Sequence, residues 1–272
     1  MAIQSTVSTV SAVHGGGYGP VAPVAAYTVA SLSAALGLRC TVRSLMAGGS
    51  RRSGWLALGA AAIGAGVWIT HFIAMTGFTV AGAPIRYDAA TAFAGLAAGV
   101  LMTGIGVFIA CHRGPTAQAL FTGGVITGLG IAATHYLGMA GLRLRADLAY
   151  DTSTVTASVL IAVVAATTAL WIALSAKGFR AGLAASLLMG LAVFGMHYTA
   201  MAAVDVRLHD TTGPAAAATP LSPPAPMMAG PAVFLLLAGL VVVIEPLVVT
   251  GGPGRRRTRP GPAAVRGRPV RR

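Results

Sequence analysis

Apolar runs of about twenty residues alternate along this chain with short segments that carry nearly all of its charge. Seven such runs predict seven membrane-crossing helices. They lie at about Val21–Cys40, Trp55–Phe78, Ala89–Cys111, Ala119–Leu142, Val155–Ala176, Ala181–Val204 and Met228–Val249. The connections are brief and polar, for example Arg86-Tyr87-Asp88 and Tyr150-Asp151, until a long Pro- and Ala-rich segment from Asp205 to Pro226. Glu245-Pro246 interrupts the last run near its end. The pattern divides the chain into a polar leader at 1–20, a seven-helix membrane domain at 21–250 and an Arg-rich tail at 251–272. The leader has no basic residue and no apolar core, so it does not read as a cleavable signal peptide.

Composition agrees: 56% of residues are hydrophobic, only 9% are charged, and the mean hydropathy is +0.78. A soluble domain carries about a quarter charged residues. The net charge of +13 suggests nucleic acid until its distribution is considered. Eight of the nineteen basic residues fall between Arg255 and Arg272, with no aromatic or folded element beside them. Attachment to an anionic lipid surface is the expected role of that tail, and no nucleic-acid partner is expected. On alternate sides of the spans the basic residues divide fifteen to four. The positive-inside rule then puts the N-terminus outside and the C-terminus in the cytoplasm. Cys40 and Cys111 have no metal-type spacing and read as small apolar residues.

Spans two, four and six each carry a His followed four residues later by a Met: His71 and Met75, His135 and Met139, His197 and Met201. Four residues exceed one helical turn slightly, so each pair shares a face. The histidines are 64 and 62 residues apart, which makes the repeat unit a pair of helices present three times. All three sit at one depth, near the outer ends of spans that run in the same direction. A single imidazole in a membrane helix is readily explained by a hydrogen bond to a neighbour. Three in register are not, because each polar ring is costly in hydrocarbon unless paired. Imidazole with thioether suits copper, Met being a soft ligand that favours Cu(I). Glycines on the same spans, among them Gly64, Gly66, Gly123, Gly124, Gly128, Gly130, Gly190 and Gly195, permit close helix approach. A haem held by two histidines is the rival, although three-fold repetition suits a small ion better. Asp88 and Asp151, each after a Tyr, read first as helix N-caps and second as partners of a ligating imidazole. Phe72, Tyr136 and Tyr198 follow the histidines and read as interfacial rings, a reading that fits the deeper Trp68 less well. His14, His112 and His209 fall outside the repeat.

Met196-His197-Tyr198-Thr199 is the motif after which the MHYT domain is named, and the chain from about Val21 to Val249 resembles that bacterial integral-membrane sensor module. Copies one and two are degenerate: Thr70 and Thr134 stand for the motif Met, and Ile73 and Leu137 for its Thr. The resemblance implies an all-α, multi-pass protein of the bacterial cytoplasmic membrane. It implies a copper site drawn from His71, Met75, His135, Met139, Met196, His197 and Met201, and a role in sensing oxygen, carbon monoxide or nitric oxide. Many members of the family are fused to cyclic di-GMP enzymes or histidine kinases. Here about twenty residues follow the last span, so a stand-alone, non-enzymatic form that signals through a separate cytoplasmic or membrane partner is expected. Copper transport or handling, or an accessory subunit with a vestigial site, are the alternatives.

Overall fold

Each apolar run forms a helix, because in a bilayer the backbone must satisfy its own hydrogen bonds. The computed structural model describes residues 9–11, 13–14, 19–79, 85–114, 116–144, 146–176, 178–208 and 225–250. The helices are α1 (Val21–Met46), α2 (Ser50–Met75), α3 (Ala89–His112), α4 (Ala117–Ala140), α5 (Thr152–Ser175), α6 (Phe179–Ala202) and α7 (Ala225–Thr250). All seven are long and apolar enough to cross a membrane. Six pack in chain order around a closed ring in which α6 returns to α1, while α7 lies outside against α2 and α1. Of the seven, α2 is the most enclosed and α7 the least.

The helices outrun the apolar stretches where they reach the lipid headgroups. The first continues past Cys40 to Met46, and the second begins at Ser50 with Arg51 and Arg52 in its first turn. Basic side chains are at home at that depth, where the stem stays apolar and the head reaches water. Arg43 lies over the Trp55 ring at 5.2 Å. Arg52 Nη2 donates to the Cys111 carbonyl at 2.9 Å, tying α2 to the end of α3. Both cysteines are buried and form no disulfide. The α7 backbone stays helical through Glu245 and Pro246 to Thr250, so the expected interruption is absent. A Pro in the last turns of a helix leaves most of its ladder intact.

Asp88 caps α3 by accepting from Thr91 N (2.9 Å) and Thr91 Oγ1 (2.6 Å). Asp151 caps α5 in the same way, accepting from Thr154 N at 2.8 Å, Thr154 Oγ1 at 2.7 Å and Ser153 Oγ at 2.5 Å. The two Tyr-Asp steps are therefore helix entrances. Close packing uses glycine where two backbones meet. A side chain at Gly123 would run into the Gly106 carbonyl of α3, and one at Gly128 into the α5 backbone at Val163.

Short strands occupy the segments that join even helices to odd ones, together with part of the N-terminal region. They are β1 (Thr9–Ser11), β2 (Val13–His14), β3 (Phe78–Thr79), β4 (Arg86–Tyr87), β5 (Leu142–Arg143), β6 (Ala146–Tyr150) and β7 (Val204–Leu208). They pair antiparallel as β1-β7-β6, β2-β3 and β4-β5. Residues within the expected polar leader thus pair with the segments after α2 and α6. One end of the bundle is a strand face. The opposite end carries the short turns and Arg43, Arg51, Arg52, Arg113 and Arg180. The Arg-rich tail, His209 and the Pro-rich segment up to Pro224 lie outside the described residues.

Candidate metal centre

The even helices α2, α4 and α6 turn their histidine faces toward one another near the strand face. His71, His135 and His197 are 3%, 1% and 3% exposed. His71 Nδ1 lies 3.2 Å from His135 Nδ1, which lies 3.1 Å from His197 Nδ1. One nitrogen from each ring falls within 4.8 Å of the other two. The rings meet edge to face, with centroids 4.9 to 5.3 Å apart. His135 is the middle member, since its Nδ1 approaches both of the others.

This spacing fits a shared ion. Two imidazole nitrogens bound at about 2.0 Å to one tetrahedral ion sit about 3.3 Å apart. Without an ion, facing nitrogens are poorly satisfied by neutral rings. A neutral imidazole has one N–H, so three facing nitrogens cannot all donate and all accept. The Nε2 atoms of His71 and His135 are buried without a hydrogen-bonding partner among the described residues. The donor set as it stands is three imidazoles, a set suited to copper, zinc or iron.

The methionines divide into two groups. Met75, Met139 and Met201 are all buried and pack together with Phe78, Leu142, Val204 and Val206. Each lies four residues from its His, or about 6 Å along the helix toward the strand face. They form a thioether layer over the imidazole layer. Met196 is elsewhere, packed with Met189, Leu170 and Ala200 in the larger apolar cluster. The motif Met196-His197-Tyr198-Thr199 placed it among the candidates. A step of one residue turns about 100° around a helix, which aims Met196 away from its neighbour's partners. The strands close the site from above, with Ile85, Tyr87, Leu144 and Leu148 packed against the methionine layer. Outside this cap, Arg143 approaches Asp88 at 3.9 Å across a solvated pair. The Asp88 carboxyl is held below its usual range, chiefly by its hydrogen bonds from Thr91. Neither capping Asp is a partner of the imidazoles in any hydrogen bond described above.

Two of the rings that follow the histidines, Phe72 and Tyr136, pack between helices. Phe72 is fully buried, 5.0 Å from the His71 ring and 4.6 Å from Trp68. Trp68 is also fully buried. Its Nε1 donates to the Ala92 carbonyl at 2.7 Å, and its ring stacks on Phe93. Met227, Met228, Ala232 and Leu235 of α7 pack against the Trp68–Phe72 cluster. Tyr136 pairs its hydroxyl with Ser158 Oγ at 2.7 Å, linking α4 to α5. These supports escaped the sequence reading because ring type alone does not say which side of a helix meets lipid.

Residues 64–123, 128–186 and 190–258 each match the model of the MHYT repeat, described as a bacterial signalling protein N-terminal repeat. Each matched stretch holds one of the three histidines. The chain is 37% identical over 194 residues to MucR of Pseudomonas aeruginosa, a bifunctional diguanylate cyclase/cyclic di-GMP phosphodiesterase. That match covers 69% of this chain and 28% of MucR. It is 37% identical over 158 residues to the cyclic di-GMP phosphodiesterase NbdA of the same organism, covering 55% of this chain and 20% of NbdA. The signalling protein YkoW of Bacillus subtilis is 29% identical over 185 residues, 65% of this chain and 22% of YkoW. The chain therefore spans less than a third of each of these relatives. No solved structure matches it.

Proposed function

The chain belongs to the MHYT family of bacterial signalling proteins, and on that footing we propose that its three histidines hold a copper ion through which this multi-pass membrane protein senses a small molecule. The observation that carries the reading is the convergence of His71, His135 and His197 from three separate helices, with nitrogens at ligand spacing. Copper is favoured over zinc by the thioethers of Met75, Met139 and Met201 one turn away, since soft donors select Cu(I). Copper held there would supply an open coordination position for a diatomic ligand such as oxygen, carbon monoxide or nitric oxide.

The protein's own residues set the surroundings. His135 fixes the spacing of the other two rings. The apolar cap of Phe78, Leu142, Val204 and Val206 keeps water out, so a small apolar solute has an advantage over ions in reaching the imidazoles. Trp68 and Phe72 brace the His71 face of α2 and touch α7, the helix that leads toward the C-terminus. This route carries the state of the site to a signalling partner. The names of two relatives point to cyclic di-GMP enzymes as the kind of partner. Binding is assigned to this chain, catalysis is not, and the strand face is placed outward in accordance with the positive-inside rule.

The test is metal content by mass spectrometry of protein purified after expression with copper, wild type beside a variant with His71, His135 and His197 all replaced by Ala. About one copper per chain, lost in the variant, is expected. Equal metal in both, or none in the wild type, refutes the proposal.

A further inference from the structure

At one position of the repeat the second copy departs from the other two. Three residues after the histidine, copy one has Ala74, copy three has Ala200, and copy two has Gly138. Ala74 and Ala200 are 7% and 0% exposed, so a methyl group fits at both. At Gly138 it does not. A Cβ there would collide with the His71 imidazole, meeting Nε2 most closely and lying 2.8 Å from Cδ2 and 3.1 Å from Cε1. What faces this glycine is neither a helix backbone nor a flexible chain end but the ring of a site histidine.

From this we infer that Gly138 is the positioning residue for His71, its missing side chain being the space in which that ring lies. The inference rests on the copper-site reading and deepens it. His71 has no retreat. Its ring is buried, Phe72 lies edge-on at 5.0 Å, and His135 Nδ1 stands 3.2 Å from its Nδ1. A methyl group at 138 moves the ring and takes Nδ1 out of register with His135. Ordinary helix economy argues the other way. Gly138 lies inside α4, where Ala is the better helix former. Copies one and three have the Ala that propensity favours, and the exception coincides with the ring.

The experiment measures Cu(I) affinity of the full chain in detergent, by competition with a colorimetric Cu(I) chelator, for wild type, G138A, A200G, H71A and the double variant H71A/G138A. G138A is expected to weaken binding by about tenfold or more, and A200G to leave it unchanged. H71A and H71A/G138A are expected to bind alike, because without the ring there is nothing for the methyl to displace. Wild-type affinity in G138A, or a G138A penalty that persists without His71, overturns the inference and leaves the copper site standing. A wild type that binds no Cu(I) removes the site and the inference with it. If G138A fails to fold, recovery of folding in H71A/G138A supports the inference, and equal failure of both overturns it.

Discussion

Trp68→Phe offers a calculable test of how the site is braced. The indole is 0% exposed, and its Nε1 donates to the Ala92 carbonyl across the α2–α3 interface at 2.7 Å. Side-chain hydrogen bonds inside membrane bundles contribute about 0.6 kcal/mol on average and at most about 1.7. The Phe ring also leaves a void of about 40 Å³, which at about 24 cal/mol per Å³ costs roughly 1 kcal/mol. The stacking on Phe93 survives in part. The sum is a loss of about 2 kcal/mol. Reversible unfolding in mixed micelles with increasing sodium dodecyl sulfate measures it. Trp171 supplies the internal comparison, being 55% exposed on the lipid-facing side of α5. W171F should stay within about 0.5 kcal/mol of wild type, as substitutions away from packed features do. If W68F also stays within about 0.5 kcal/mol, the indole does not join the two helices and the bracing argument fails.

Three further outcomes follow from the placement of individual residues. His135→Ala should weaken Cu(I) binding more than His71→Ala or His197→Ala, because its Nδ1 lies 3.2 and 3.1 Å from theirs; equal losses in the chelator competition would show that there is no middle ligand. Met201→Leu should lower Cu(I) retention while Met196→Leu leaves it unchanged, since these residues pack in different clusters; the reverse order would place the thioether layer elsewhere. Hydrogen bonds from Ser153 and Thr154 lower the Asp151 carboxyl from 3.8 to about 2. A depressed carboxylate stabilises fully above its unfolded value and loses that effect as pH falls through its folded value. The Tm deficit of Asp151→Ala should therefore be largest above about pH 5 and shrink as pH falls toward about 2; a deficit that grows on acidification would contradict the assignment.

Most of the helical frame was legible because hydrocarbon imposes it. Seven apolar runs became seven helices, and the Tyr-Asp steps became caps. The histidines were legible because period and depth together fix a face. What escaped depends on azimuth and on short-range pairing. Met196 and Met201 flank the same histidine, yet a step of one residue turns about 100° and a step of four only about 40°. Only the latter keeps the face. Phe72 and Tyr136 read as interfacial rings because nothing in the sequence says which neighbouring helix will cover them. The strands were missed for another reason. Val204-Asp205-Val206-Arg207-Leu208 alternates as a strand should, but it runs straight out of a membrane span into a Pro- and Ala-rich segment, whose composition points to a loop from Asp205 onward. Gly138 carried a signal that alignment of the three copies against one another exposes.

The pairing of β4 with β5 and of β6 with β7 joins the segments that follow α2, α4 and α6 into a collar. At the far end those helices are joined to their neighbours by short turns, with α2 also held to α3 by the Arg52 hydrogen bond. A collar at one end and fewer ties at the other make each even helix a lever with its fulcrum beside the histidines. From His135 the α4 rod extends about 27 Å to its far end, so a rocking of about 3° at the fulcrum sweeps that tip through about 1.4 Å. Displacements of about 1–2 Å are enough to repack a helical interface. A change in ligand spacing too small to disturb the site itself is thus magnified by the length of the rod before it reaches the arginine-rich end.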